Sequence, residues 1–177
     1  MKPLYIREDD VEKLVDVPEV IEALDTAFRD QASGRAWINP RSRLRVSGGA
    51  LHLMAGAIPG YFGYKAYTVG GGHAKFYFFL FSAETTNLLA MIEADALGQI
   101  RTGAATGLAT RHLSNPDSSV ATIFGAGWQS QTQLVAMDTV RHLSRVFIVS
   151  KTPERREEFM KKMRGRVRAE LVASNSA

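Results

Sequence analysis

The chain has no cysteine among its 177 residues, which removes disulfides, thiolate metal sites and thiol catalysis. It also lacks a long apolar run, since none approaches the roughly 18 residues that cross a bilayer. The N-terminal stretch MKPLYIREDD carries acids where a signal peptide needs its apolar core. A cytoplasmic protein with no membrane partner is the simplest expectation. Internal repeats and low-complexity segments are absent too.

What is present is the mix of a folded protein: 45% apolar and 23% charged residues, long enough for one domain of ordinary size, or for one domain plus part of another. The formal charge is +4 and the pI about 9.5, a balance that would suit nucleic acid. The basic residues are scattered, however. Their densest group, KTPERREEFMKKMRGRVR at 151–168, interleaves acids and reads as a solvated helix face. No nucleic-acid partner is expected.

A helix is predicted over about 17–33, with Asp16 and Glu19 spaced as a capping box, Pro18 in the first turn and Gly34 just past the end. Val20, Ile21, Leu24, Ala27 and Phe28 fall on one face at helical spacing, so this face should pack. The runs RSRLRVS, ALHLMAG, FGYKAYTV, AKFYFFLFS and NLLAMIEA follow, separated by turn residues. They predict an α+β region on a mainly antiparallel sheet, with SAETTN as a hairpin connection. From Ala96 the texture changes to ALGQIRTGAATGLATRHL, ending at SNPDSS, a candidate boundary. Small residues such as Gly103 and Gly107 serve either close helix packing or the close approach of a ligand. Beyond Ser119 the runs VATIF, WQSQTQLVAMDTVRHL, RVFIVS, PERREEFMKKMR and VRAELVA read as strand, helix, strand, helix and strand, an order that predicts a parallel sheet with right-handed crossovers. The fold class is therefore α/β: an α+β domain over 1–115, then a β-α-β-α-β unit over 116–177.

The segment IFGAGWQS sets Gly125 and Gly127 between a buried strand and a helix. In that context the first glycine permits the tight turn, and the second lets backbone approach a pyrophosphate seated on the helix N-terminus. Ser130 stands at the third position, small enough for close helix–strand packing. At the end of the next strand an NAD site usually carries an acid for the ribose hydroxyls. Here Ser150, Lys151 and Thr152 stand instead, with Arg155 one turn on, a set suited to a 2′-phosphate. NADP(H) is expected in preference to NAD(H).

Three cations draw notice by context: Arg41 after INP, Lys65 within IPGYFGYKAYTV, and Arg101 before Thr102. Alternation puts Lys65 on the face of Tyr61, Tyr67 and Val69. Each is either a surface charge or part of an anion clamp, and spacing does not choose between them.

Taken together, NPRSRLRV, LHLMAGAIPGYFGYKAYTV, LLAMIEADALGQIRTGAATGLATRHL and IFGAGWQSQTQL resemble the ornithine cyclodeaminase/mu-crystallin family across nearly the whole chain. The resemblance implies a substrate-binding and dimerisation domain joined to a Rossmann domain, and a homodimer formed through the first. It implies NAD(H) or NADP(H) as cofactor and a small amino or imino acid as substrate. The activities implied are ketimine reduction or amino-acid dehydrogenation, cyclodeamination with loss of ammonia, or ligand binding without turnover. By position, Arg41, Lys65 and Arg101 match the residues that hold the substrate carboxylate, and Lys65 is the catalytic candidate. Arg101 and Thr102 match contacts to the cofactor phosphates. Gly125, Gly127, Trp128 and Gln129 match the glycine turn, and Ser150, Lys151, Thr152 and Arg155 the 2′-phosphate pocket. His52 stands where ornithine cyclodeaminase proper has a glutamate for the distal amine, so ornithine is disfavoured. His52 is then either a substrate contact or a satisfied strand residue. The family's acid/base aspartate is expected beyond residue 177, in a longer protein of which this chain is a truncated form.

Overall fold

Short aromatic and β-branched runs bounded by turn residues become strands here because their alternating side chains leave one surface to bury at a time. The computed structural model describes residues 2–174. Contacts divide the chain into two compact units, Met1–Val15 with Asp25–Gly98 and Asp16–Leu24 with Gln99–Ala177.

The first unit is built on a seven-stranded sheet, ordered β1-β7-β6-β5-β4-β2 with β3 also on β4. Its strands are β1 (Leu4–Ile6), β2 (Trp37–Ile38), β3 (Ser42–Val46), β4 (Gly49–Ile58), β5 (Tyr61–Gly70), β6 (His73–Ser82) and β7 (Leu88–Glu93). The five expected runs appear as β3 to β7, and β6 and β7 pair antiparallel across the SAETTN connection. Strand β1 and the seven-residue helix α1 (Glu8–Leu14) lie outside the sequence-based expectation. β1 pairs parallel with β7, so the sheet is mixed. Both elements are too short to show a period, and tertiary contacts hold them. The Glu8 carboxylate accepts the N–H groups of Asp95 (2.7 Å) and Ala96 (2.9 Å), the opening residues of helix α3 (Asp95–Leu113). The free N–H groups of a helix start are thereby satisfied by a carboxylate distant in sequence. Asp95 in turn accepts the Phe76 N–H at 2.9 Å and pairs with Lys75 at 3.3 Å. Glu93 accepts the Tyr5 hydroxyl at 2.8 Å.

The second unit carries β8 (Val120–Phe124), α4 (Trp128–Val140), β9 (Arg145–Val149), α5 (Pro153–Met163) and β10 (Glu170–Ser174). Its sheet is parallel throughout, ordered β10-β9-β8, the 3-2-1 order of the first half of a doubly wound fold. Ile123, Leu134, Val146, Ile148, Phe159 and Met163 form its buried core. Helix α4 is apolar on two sides. Leu134, Val135 and Met137 serve that core, while Ala136 and Val140 join Ile21, Ala104 and Leu108 in a second cluster. Ile21 belongs to α2 (Val17–Ala32) and is fully buried, a burial that contributes about 1.5–3 kcal/mol. Val20 and Leu24 pack there as the periodicity predicts, whereas Phe28 remains 51% exposed.

Two element ends differ from the sequence reading for visible reasons. Helix α4 stops at Val140 rather than near Leu143, and the Arg141 guanidinium turns to the carbonyls of Thr110 (3.2 Å) and Arg111 (2.9 Å). A cation there completes the C-terminal end of α3. Strand β10 begins at Glu170 rather than Val167, because the Arg168 N–H is given to the buried Asp138 carboxylate at 3.0 Å. The contact division falls inside α3, after Gly98.

Gly103 and Gly107 of α3 take the packing side of their two readings. A Cβ at Gly103 would lie 2.5 Å from the Thr132 carbonyl, and one at Gly107 would lie 2.9 Å from the Ala136 methyl. Gly103→Ala is expected to cost about 1–3 kcal/mol through overpacking. The measure is the urea midpoint of the second unit, compared with Gly98→Ala, where a methyl meets open space. Equal midpoints would contradict the close approach.

Candidate functional site

The second unit holds a cleft of about 580 Å³ where β8 and β9 end. Gly125, Ala126 and Gly127 form one wall and Ser150, Lys151, Thr152 and Arg155 the other, with Phe124 and Val149 between. Gly125 has φ +98°, a backbone conformation that disfavours every side chain. Nothing lies within 4 Å of a Cβ built at Gly125 or Gly127, so the turn faces open space while it delivers the chain to α4. Ser130 takes the third motif position and donates its hydroxyl to the Gly125 carbonyl at 2.8 Å. That bond ties the first turn of α4 back onto the glycine turn. The free N–H groups at this helix start and the positive end of its dipole suit an anion. No carboxylate lines the cleft among the described residues, and the cation and hydroxyls stand where β9 ends.

The cleft thus brings together six of the predicted cofactor residues. Trp128 lines an adjoining pocket of about 280 Å³ that shares Ala126, Gly127 and Arg155. Gln129, Arg101 and Thr102 line neither. Arg101 is exposed on α3, and the Thr102 carbonyl accepts the Thr106 hydroxyl at 3.3 Å. Phe124 and Val149 are lining residues that the motif did not single out. Their signal is position alone, as the last residues of two parallel strands.

In the first unit, alternation along paired strands decides which side chains share a surface. Lys65 pairs with Met54 and Phe78, and Tyr67 pairs with His52 and Phe76. The His52 ring stacks on Tyr67 at 4.5 Å, and Tyr67 on Phe76 at 4.6 Å. The half-buried Lys65 sets its Nζ 5.3 Å from the Tyr67 ring centre and 5.4 Å from that of Phe76. Aromatic faces favour a cation at such distances. This side of the sheet also receives Arg43, directly opposite His52, and Arg45, opposite Ala50, with Arg41 just ahead of β3. Neither Arg43 nor Arg45 was singled out in the sequence, although the R-x-R-x-R pattern at 41–45 was visible there. Burial, then the positive charges of Arg43, Arg41 and Arg45, hold the His52 imidazole below its ordinary pKa. Its Nδ1 is buried without a hydrogen-bond partner among the described residues. Arg101 belongs to the second unit.

A glycine turn at the mouth of a helix, set on parallel strands in 3-2-1 order, defines a protein with a dinucleotide-binding half-fold. The chain belongs to the ornithine cyclodeaminase/mu-crystallin family, whose model matches residues 1–177. It is 32% identical over 153 residues to the alanine dehydrogenase of Archaeoglobus fulgidus, covering 82% of this chain and 48% of that enzyme. It therefore spans about half the length of that relative. Among solved structures, an archaeal alanine dehydrogenase dimer with bound NAD superposes with TM-score 0.89 at 29% identity, covering 97% of this chain and 56% of that one. The Thermococcus litoralis Delta(1)-pyrroline-2-carboxylate reductase, in complex with NADH and L-proline, superposes with TM-score 0.87 at 28% identity, covering 97% and 57%.

The arginines beside His52 carry a direct consequence. NMR titration should place its imidazole below the ~6.5 of free histidine, and Arg43→Gln should move it upward. A titration at or above the free value would contradict this electrostatic arrangement.

Proposed function

We propose that the chain supplies the substrate-binding domain (1–115) and the first Rossmann half (116–177) of an NADP(H)-dependent enzyme that acts on a small α-amino or imino acid by hydride transfer. The observation that carries this reading is the cleft where Gly125 and Gly127 face Ser150, Lys151, Thr152 and Arg155 with no carboxylate between them. The residues fit the cofactor: open space at both glycines, a helix start behind them, and a lysine and an arginine for a 2′-phosphate. The two solved relatives hold NAD and NADH, which supports a nicotinamide cofactor. The preference for NADP(H) rests on Lys151 and Arg155.

When bound, the nicotinamide supplies or accepts the hydride. Lys65, Arg41 and Arg101 hold the substrate carboxylate, and Lys65 polarises or protonates the reacting carbon–nitrogen or carbon–oxygen bond. Arg101 and Thr102 also serve the cofactor phosphates, with Trp128 and Gln129 flanking the turn. A homodimer forms through the first unit. Exposed Trp37, Leu44, Val46 and Leu53 support this, since all sit on the sheet surface opposite Lys65. They form an apolar surface of the kind that marks association.

NADPH is expected to bind at least about tenfold more tightly than NADH, measured by quenching of Trp128 emission. Arg155→Gln should remove most of that margin, and a preference for NADH would overturn the cofactor assignment. In the enzyme, Lys65→Met should lower turnover by about a hundredfold, the scale of losing one positioned donor. Kinetics near those of the unsubstituted enzyme would exclude Lys65 from the chemistry.

A further inference from the structure

The cations of the first sheet are sorted by face. Glu93 is the sole carboxylate within its seven strands, and it lies on the side opposite Lys65, paired with Tyr77 in the ladder and bonded to Tyr5. Lys75 lies on that opposite side as well, matched to Thr68 and paired with Asp95 and Glu8. The Lys65 side receives Arg43, Arg45 and His52 from its strands and no acid. Arg43 and Arg45 form no salt bridge among the described residues, and both are exposed.

Charges on an edge strand such as β3 often serve only to deter pairing with another chain. Deterrence would not require one face alone, and the other face of β3 exposes apolar Leu44 and Val46 at 62% and 61%. The arrangement is also continuous with Lys65. The Lys65 ammonium and the His52 imidazole lean on the same Tyr67 ring, and Arg43 stands opposite His52. Successive same-face rows are about 7 Å apart along a strand, so anions held at the two rows can belong to one short molecule.

We infer that Arg43 and His52 form a second anion-binding position beside Lys65, which takes the side-chain carboxylate of an acidic α-amino or imino acid. Arg43 supplies a forked pair of donors suited to a carboxylate. His52 supplies one N–H as a neutral ring, and it gains a proton readily once an anion offsets the arginines. A second carboxylate on the substrate offsets the charges of Arg43 and Arg45, which face this side beside His52, whereas an ammonium at the same place adds to them. The inference rests on the proposed function, in that it takes Lys65 as the holder of the α-carboxylate.

The test titrates the chain, with NADP⁺ present, against L-aspartate, L-glutamate, L-alanine and L-ornithine. Affinity is followed by calorimetry and the His52 ring by NMR. The acidic pair should bind at least about tenfold more tightly than L-alanine, with the His52 pKa rising on binding. Arg43→Gln should remove both effects and Arg43→Lys should restore part of each, while far-ultraviolet circular dichroism confirms that the variants fold. His52→Glu should reverse the order in favour of ornithine. Equal binding of alanine and the acidic pair, with loss on Lys65→Met, would overturn this inference and leave the proposed function standing. Binding of none of the four would overturn the proposed function and this inference with it.

Discussion

The two-residue alternation of the β4–β5–β6 ladder governs what the first unit can do. These three ten-residue strands pair without a break between Ala50 and Ile58 and their β5 partners, and again between β5 and β6. Each side chain is therefore committed to one surface. A slip of one residue would exchange the surfaces, moving Lys65 and His52 to the side now held by Tyr64, Tyr77 and Phe79. The side that carries Lys65 and the side that carries Lys75 are two products of one register. Glu8, by accepting the first N–H groups of α3, fixes where the chain leaves this sheet.

In the second unit the comparable constraint is close approach of backbone. α3 and α4 touch where Gly103 meets Thr132 and Gly107 meets Ala136, and Ile21 of α2 seals the same cluster. The other side of α4 lies on the parallel sheet through Leu134. A helix held on both sides presents its N-terminus from a rigid support, which a preorganised anion site requires. The Ser130 bond to Gly125 extends that rigidity into the turn itself.

The parts of the fold that were legible in the sequence are those with a long period or a strong local chemistry. α2 and α4 carry helical spacing, and the glycine turn joins a β-branched strand to a helix start. The cleft-lining set Ser150, Lys151, Thr152 and Arg155 followed from its place at a strand end. β1 and α1 were not legible, because three and seven residues are too few to show a period and their stability comes from Glu93 and the start of α3. The early end of α4 was hidden for a related reason: Arg141 reads as one more polar helix residue until its partners at Thr110 and Arg111 are known.

The sequence by itself determined the strand-turn-helix with its cations, the mainly antiparallel strand set and the family, since each is written in neighbouring residues. Only the tertiary structure decided that Gly103 and Gly107 serve packing rather than a ligand, because a missing Cβ has no meaning until the facing backbone is placed. It also decided that Lys65, His52 and Arg43 share one side of the sheet, to which its strands bring no acid among the described residues, while Lys75 keeps its carboxylates on the other. That sorting depends on cross-strand register, which pairs residues far apart in the chain and leaves no local signature.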